Sequence, residues 1–210
     1  DNKFKELAQE ISPKLSAFKN RVLLDSKLFK RVKTLYESRD KIGLTSEQKR
    51  LIEEKYKEFT LNGALLNDID KGKICKIDEE LSKLSPKFSQ NTLNAINDFT
   101  YHTEDETELS GLPDMAKEQA AETAQKKKKD IGWMFTLQMP SYIPVMQYAD
   151  NRELRKTLYK ARSKVSFGGK YDNQEIIKKT MTLRHEKALI LGFKEYAEYT
   201  LQKRMAGSTI

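Results

Sequence analysis

The one stretch of this sequence that begins like a metal-hydrolase motif is His185-Glu186-Lys187-Ala188-Leu189. Zinc hydrolases that use His-Glu-x-x-His place two imidazoles one helical turn apart around the metal, with the glutamate as general base. Here Leu189 stands where the second imidazole would be. One imidazole and a neighbouring glutamate do not make a zinc site, so neither catalytic nor metal-ligating residues are expected in this chain. His185 is expected on the polar flank of its helix. The only other histidine, His102, lies near the acidic run Glu104-Asp105-Glu106, and a lone imidazole of that kind is a structural residue by expectation. A single cysteine, Cys75, excludes an intrachain disulfide and a cysteine-based zinc site. Nucleophile elbows, phosphate-binding glycine loops and Cys–His pairs are all missing from the sequence. Gly168-Gly169 reads as a helix stop, Glu53-Glu54 and Glu79-Glu80 as solvated helix faces, and Trp133 with Phe135 as core.

The elements that would position such residues are mostly helices. Phe4, Leu7, Ala8, Ile11, Leu15 and Phe18 recur at helical spacing, with Pro13 expected to bend or restart that helix. Leu28, Phe29, Val32, Leu35 and Tyr36 form the stripe of a second helix. Thr45 to Gln48 reads as a capping box opening a third, stopped by Gly63. From about Asn67, Ile74, Ile77, Leu81, Leu84 and Phe88 alternate by three and four along a long helix, which Pro86 is expected to kink. Phe99 to His102 and Gly132 to Leu137 are β-prone and predict an antiparallel ribbon. Their connection is a helix from Pro113 to the lysine run Lys126 to Lys129, read as a dipole-complementing terminus. Pro140 to Pro144 reads as extended or loop-like. Leu154 to Val165 predicts another helix, Ile176, Ile177, Thr180, Leu183, Lys187 and Leu191 the next, and Tyr196, Tyr199 and Met205 a last short one.

Composition agrees with this outline. Charged residues make up 33% and hydrophobic ones 38%, while 9 Gly and 5 Pro are too few for an all-β chain of tight turns. The fold class is therefore mainly α: a bundle of seven or eight helices with one small two-stranded β ribbon. The net charge of +8 is interspersed along the chain, so it describes a solvated helical surface. Nucleic acid and membrane are not expected partners, and no apolar run approaches the ~20 residues that span a bilayer. The alternative reading is a stand-alone basic helical module for interaction or nucleic-acid binding.

Three passages carry a specific likeness: Tyr148-Ala149-Asp150-Asn151-Arg152-Glu153-Leu154-Arg155 with Leu158-Tyr159; Leu183 to Ala188 with Leu191-Gly192-Phe193-Lys194-Glu195-Tyr196-Ala197-Glu198-Tyr199; and Glu79 to Ser85 with Phe88 and Asn91. With Gly111-Leu112-Pro113 and Pro140 to Pro144, they resemble the amino-terminal half of the thimet oligopeptidase, oligopeptidase A and peptidyl-dipeptidase family, with the dipeptidase branch expected as the nearer. The resemblance runs from about Lys3 to Met205. It implies a larger helical zinc peptidase with two lobes around a channel that admits short peptides. In the family, an HExxH helix and a downstream glutamate hold the zinc, and none of these maps onto this chain. The resemblance further implies that residues 1–210 are an amino-terminal helical region excised from a longer protein. The expected subdivision is 1–97 helical, 98–147 ribbon with inserted helix, and 148–210 helical. The segment is expected to be inactive alone and to form part of the channel wall through Tyr142, Tyr196 and Tyr199. Zinc is expected in the full-length parent only. Short peptides are the expected partners of the whole protein, a dimer through exposed apolar surface the expected association of this part. The cytoplasm is favoured over the periplasm.

Overall fold

A computed structural model describes residues 2–129 and 131–207, so the terminal 208–210 lie outside the described residues. Nine α-helices and two strands follow one another: α1 (Asn2–Leu23), α2 (Ser26–Ser38), α3 (Ser46–Leu61), α4 (Asp68–Asp98), β1 (Thr100–Thr103), α5 (Asp114–Lys126), β2 (Trp133–Thr136), α6 (Met139–Tyr148), α7 (Arg152–Ser163), α8 (Gln174–Ile190) and α9 (Tyr196–Leu201), counted among the described residues. The chain is mainly α with one small antiparallel sheet, as its periodicity indicates. Two compact units emerge: unit 1 is Asp1–Lys87 with Ile176–Ile210, and unit 2 is Phe88–Glu175.

In unit 1, α2 starts where the Asp25 carboxylate accepts the Leu28 N–H. The Thr45 cap opens α3 with both bonds of a capping box: the hydroxyl accepts from the Gln48 N–H, and the Gln48 side chain accepts from the Thr45 N–H. Gly63, at φ +96°, lets the Ala64 N–H return to the Phe59 carbonyl and end α3. Leu23, Phe29, Phe59 and Ala64 form a small core, with Tyr56 and Val32 packed against it. The Phe29 ring stacks on Tyr56 and Phe59, and Tyr36 stacks on Tyr56 with centroids 4.0 Å apart.

Both α1 and α4 are assigned as continuous helices through their internal prolines. Pro86 has no N–H to give the carbonyl four residues before it, that of Ser82. The Ser12 hydroxyl of α1 donates to that carbonyl at 3.0 Å, and Ser16 donates to the Asp78 carbonyl one turn earlier at 3.3 Å. The proline thus exposes an acceptor that fixes α1 on α4.

Unit 2 is built around the ribbon. Tyr101 pairs with Phe135 and His102 with Met134, and α5 supplies the connection. Leu109, Leu112, Ala120, Phe135, Val145, Ala149, Leu154 and Leu158 form one contiguous buried cluster. Two glycines set its loops. A Cβ on Gly111 (φ +82°) would sit 2.2 Å from the Tyr148 carbonyl oxygen, and one on Gly132 (φ +92°) 2.3 Å from that of Thr103. Only glycine fits either place.

One expectation is overturned. Pro140 to Pro144 is not extended or loop-like but forms the first half of α6. Pro140 falls in the first turn, where its missing N–H is not needed and its φ is already helical. The Ser141 hydroxyl accepts from the Thr136 N–H, joining the end of β2 to the new helix. This segment raises the helix count from eight to nine.

Candidate functional site

Of the three tyrosines singled out above, unit 1 holds two together. Gly192, at φ +85°, closes α8: its own N–H reaches Leu189 O at 3.0 Å, and the Phe193 N–H reaches Ala188 O at 2.9 Å. This doubly bonded left-handed cap turns the chain so that Phe193 meets α9. The rings of Phe193 and Tyr199 lie 5.5 Å apart and tilted by 60°, and those of Tyr196 and Tyr199 lie 5.6 Å apart at 50°. The Arg184 guanidinium, from α8, stands 5.3 Å from the Tyr196 ring centre. Burial pushes the Tyr199 hydroxyl up to about 12, helped by the neighbouring Tyr196 and the negative charge of Asp78.

Beneath these rings lies a feature that sequence periodicity hides. Lys187 occupies a stripe position of α8 between Leu183 and Leu191, and it is buried. Its ammonium donates to the Asp78 carboxylate on α4, a part-buried bond. A lysine within an otherwise apolar stripe was the signal that could have predicted a buried partner, since a desolvated ammonium requires one. Two turns toward the start of α8, Lys179 bonds Glu80 at 2.5 Å, and Lys83 joins it at 3.3 Å. The hydrogen bonds from these two lysines hold the Glu80 carboxyl below its ordinary range. Cys75 lies one turn before Asp78. Partial burial raises its thiol above the usual value, and the charge of Asp78 adds to this while Lys187 opposes it. That is the reverse of an activated nucleophile.

Tyr142 belongs to unit 2. It is half-buried on α6 against the contiguous core, with the Arg162 guanidinium 5.9 Å from its ring centre. Arg162 also donates to the Leu137 carbonyl at 2.9 Å, which fixes the cation in place. Unit 2 contains a second buried polar device missed by sequence. Asn173 accepts from the Asn91 amide at 2.9 Å and donates to the Phe88 carbonyl at 3.1 Å and to Thr92 Oγ1 at 3.3 Å. This spans the residue before α8 and the latter part of α4.

The two histidines fall in different units. His185 is exposed on α8, and Leu189, one turn on, is exposed as well. The Nε2 of His102 lies 2.9 Å from the Ile131 carbonyl. Among the described residues, no group of three or more His, Cys, Asp or Glu is arranged as a cation site. No described helix is long and apolar enough to cross a membrane. Each unit by itself offers half-buried aromatic surface beside a guanidinium: Tyr196 with Arg184 in unit 1, and Tyr142 with Arg162 in unit 2.

Residues 145–209 match the family model for peptidase family M3. Over 204 residues the chain is 38% identical to the probable cytosolic oligopeptidase A of Arabidopsis thaliana, covering 94% of this chain and 29% of that protein. It is 34% identical over 208 residues to oligopeptidase A of Escherichia coli (96% and 30%) and 28% identical over 207 residues to the dipeptidyl carboxypeptidase of the same organism (98% and 30%). The expected nearness to the dipeptidase branch is thus reversed, with identity higher to the oligopeptidase A proteins. The chain spans about 30% of the length of the curated relatives it matches.

Proposed function

Because this chain is homologous, along nearly its whole length, to oligopeptidase A and dipeptidyl carboxypeptidase of peptidase family M3, we propose that it is a non-catalytic wall of the peptide channel in a zinc-dependent oligopeptidase. The observation that carries the reading is the extent of the match, which covers 94–98% of the chain against proteins named as peptidases. The aromatic cluster of Tyr196, Tyr199 and Phe193 supports it in physical terms. Flat rings accept the varied side chains of an unfolded peptide without fixing its sequence, and Arg184 beside them suits a peptide carboxylate. Tyr142 with Arg162 repeats that combination in unit 2.

Zinc does not fit the residues of this chain. The helix that carries His185 and Glu186 has a leucine where the second imidazole must stand, so no step of hydrolysis is assigned here. The whole protein is read as the zinc enzyme, short peptides as its substrates and the cytoplasm as its compartment, in line with the plant relative whose name places it in the cytosol. In an assay with added zinc, the 210-residue chain alone should hydrolyse no peptide. Turnover by the purified chain would contradict the reading. In the complete enzyme, Tyr199→Ala should raise KM for short peptides about tenfold with little change in kcat, the mark of lost uniform binding.

A further inference from the structure

Helix α1 is inside out. It meets α4 through Ser12 and Ser16, whose hydroxyls donate to the Ser82 and Asp78 carbonyls, and Asn20 on the same face is buried. Phe4, Leu7, Ile11, Leu15 and Phe18 are exposed by 71%, 49%, 38%, 63% and 56%. At 100° per residue these five fall within about 80° of one another, centred about 140° from the serine face. Toward its carboxyl end the stripe opens into an apolar groove lined by Phe18, Val22, Leu28, Val32 and Phe59. The Ser12 bond to the carbonyl that Pro86 leaves without a donor favours the orientation that turns the stripe outward.

The chain also exposes more surface than its mass requires. The chain exposes 14360 Å². Two separate globules sharing its mass as the two units do would together expose about 12,000 Å². The excess therefore does not depend on how the units are arranged.

We propose that the stripe and groove of α1 are the seat of an amphipathic helix from the remaining 70% of an M3 peptidase polypeptide; this rests on the reading of the chain as part of such an enzyme. A second copy of the chain fits less well. The stripe presents on the order of 500 Å², so a symmetric pair would fall at or below the lower end of stable interfaces. A helix of the same polypeptide does not lose free translation on docking. The length of the relatives, over three times that of the matched region, supplies such a segment. Arg21, whose guanidinium lies 5.2 Å from the Phe18 ring centre, flanks the stripe on one side and suits an acidic residue on its occupant.

Hydrogen exchange tests this without relying on activity. Amides of Leu7 to Leu15 are measured in the 210-residue chain and in the complete M3 polypeptide. Protection should rise by about 100-fold or more in the complete polypeptide. The triple variant L7Q/I11Q/L15Q should lose that gain and leave exchange in the short chain unchanged. Equal protection in both polypeptides overturns the inference. Protection in the short chain that grows with its concentration overturns it too, by identifying a second copy as the occupant. Peptide hydrolysis by the complete polypeptide is followed in parallel. Activity without added protection removes the docking helix and leaves the peptidase reading intact, whereas protection without activity does the opposite.

Discussion

Unit 2 and unit 1 solve the same problem in different ways. Unit 2 closes a contiguous core from a helix, a ribbon and two further helices, and its glycines let loop backbones touch where any Cβ would collide. Unit 1 has more chain and a smaller buried cluster of its own. Its helices are joined by serine–carbonyl bonds and a part-buried Lys187–Asp78 pair, and its longest apolar stripe faces outward. Such polar joints fix register but add little net stability, because each group gives up water to make its bond. Unit 2 is therefore the self-sufficient part, and unit 1 is shaped to be completed by something else.

The sharpest way to break this comparison is a core truncation in unit 2. Leu158 is fully buried in the contiguous cluster, and Leu158→Ala should destabilise unit 2 by about 3 kcal/mol. The single tryptophan, Trp133, packs on the same cluster and reports that unit alone. Its fluorescence transition in urea should move to lower denaturant. An unmoved transition would mean that unit 2 is not held by this core.

In unit 1 the corresponding weak point is ionic. Lys187→Ala leaves the Asp78 carboxylate part-buried without its partner, which should destabilise unit 1 by about 3 kcal/mol. Pairing Lys187→Met with Asp78→Leu should recover most of that loss, since no charge is then left without a partner. Circular dichroism would follow the helices, and the Trp133 signal should stay in place. Failure of the double variant to recover would mean the pair contributes more than it costs to bury.

How much of this could be read from sequence follows the same division. The ribbon, its helical connection, the Thr45 capping box and the stops at Gly63 and Gly192 were legible because each is a local rule. Pro140 to Pro144 was misread because a proline in the first turn of a helix looks, locally, like an extended dipeptide. The Lys187–Asp78 pair and the Asn173 network join residues that the sequence keeps far apart: Lys187 in its stripe signals a buried partner without naming it, and no local pattern marks Asn173. The inverted face of α1 was hidden for another reason. Its apolar spacing is that of any amphipathic helix, and only Ser12 against the carbonyl freed by Pro86 shows which side is turned in. For the candidate site, the absence of a second imidazole could be read directly, whereas the Phe193–Tyr199–Tyr196 cluster needed the turn at Gly192.

Alkaline titration separates the units more gently. Tyr199 in unit 1 and Tyr101 in unit 2 are both pushed up to about 12, each mainly by burial; Tyr101 also donates to Glu108 at 2.8 Å. Both folded values lie above the ordinary 10, so their contribution is complete below about pH 10 and is lost as pH rises toward 12. Absorbance of tyrosinate should show two hydroxyls ionising near pH 12. Tyr199→Phe should remove one of them and leave the Trp133 transition unchanged, and Tyr101→Phe should remove the other. Ordinary titration of every tyrosine would refute the burial of both hydroxyls.

The smallest expected effect is the most discriminating. Leu15→Ala repeats the chemistry of Leu158→Ala on a residue that is 63% exposed. In this chain it should change stability by less than about 0.5 kcal/mol. The contrast between the two leucines measures how far the sequence pattern of α1 departs from its surroundings. Both are leucines on amphipathic helices, and only the tertiary setting differs. If Leu15→Ala proved as damaging as Leu158→Ala, the stripe would already be covered in this chain, and unit 1 would be as self-sufficient as unit 2.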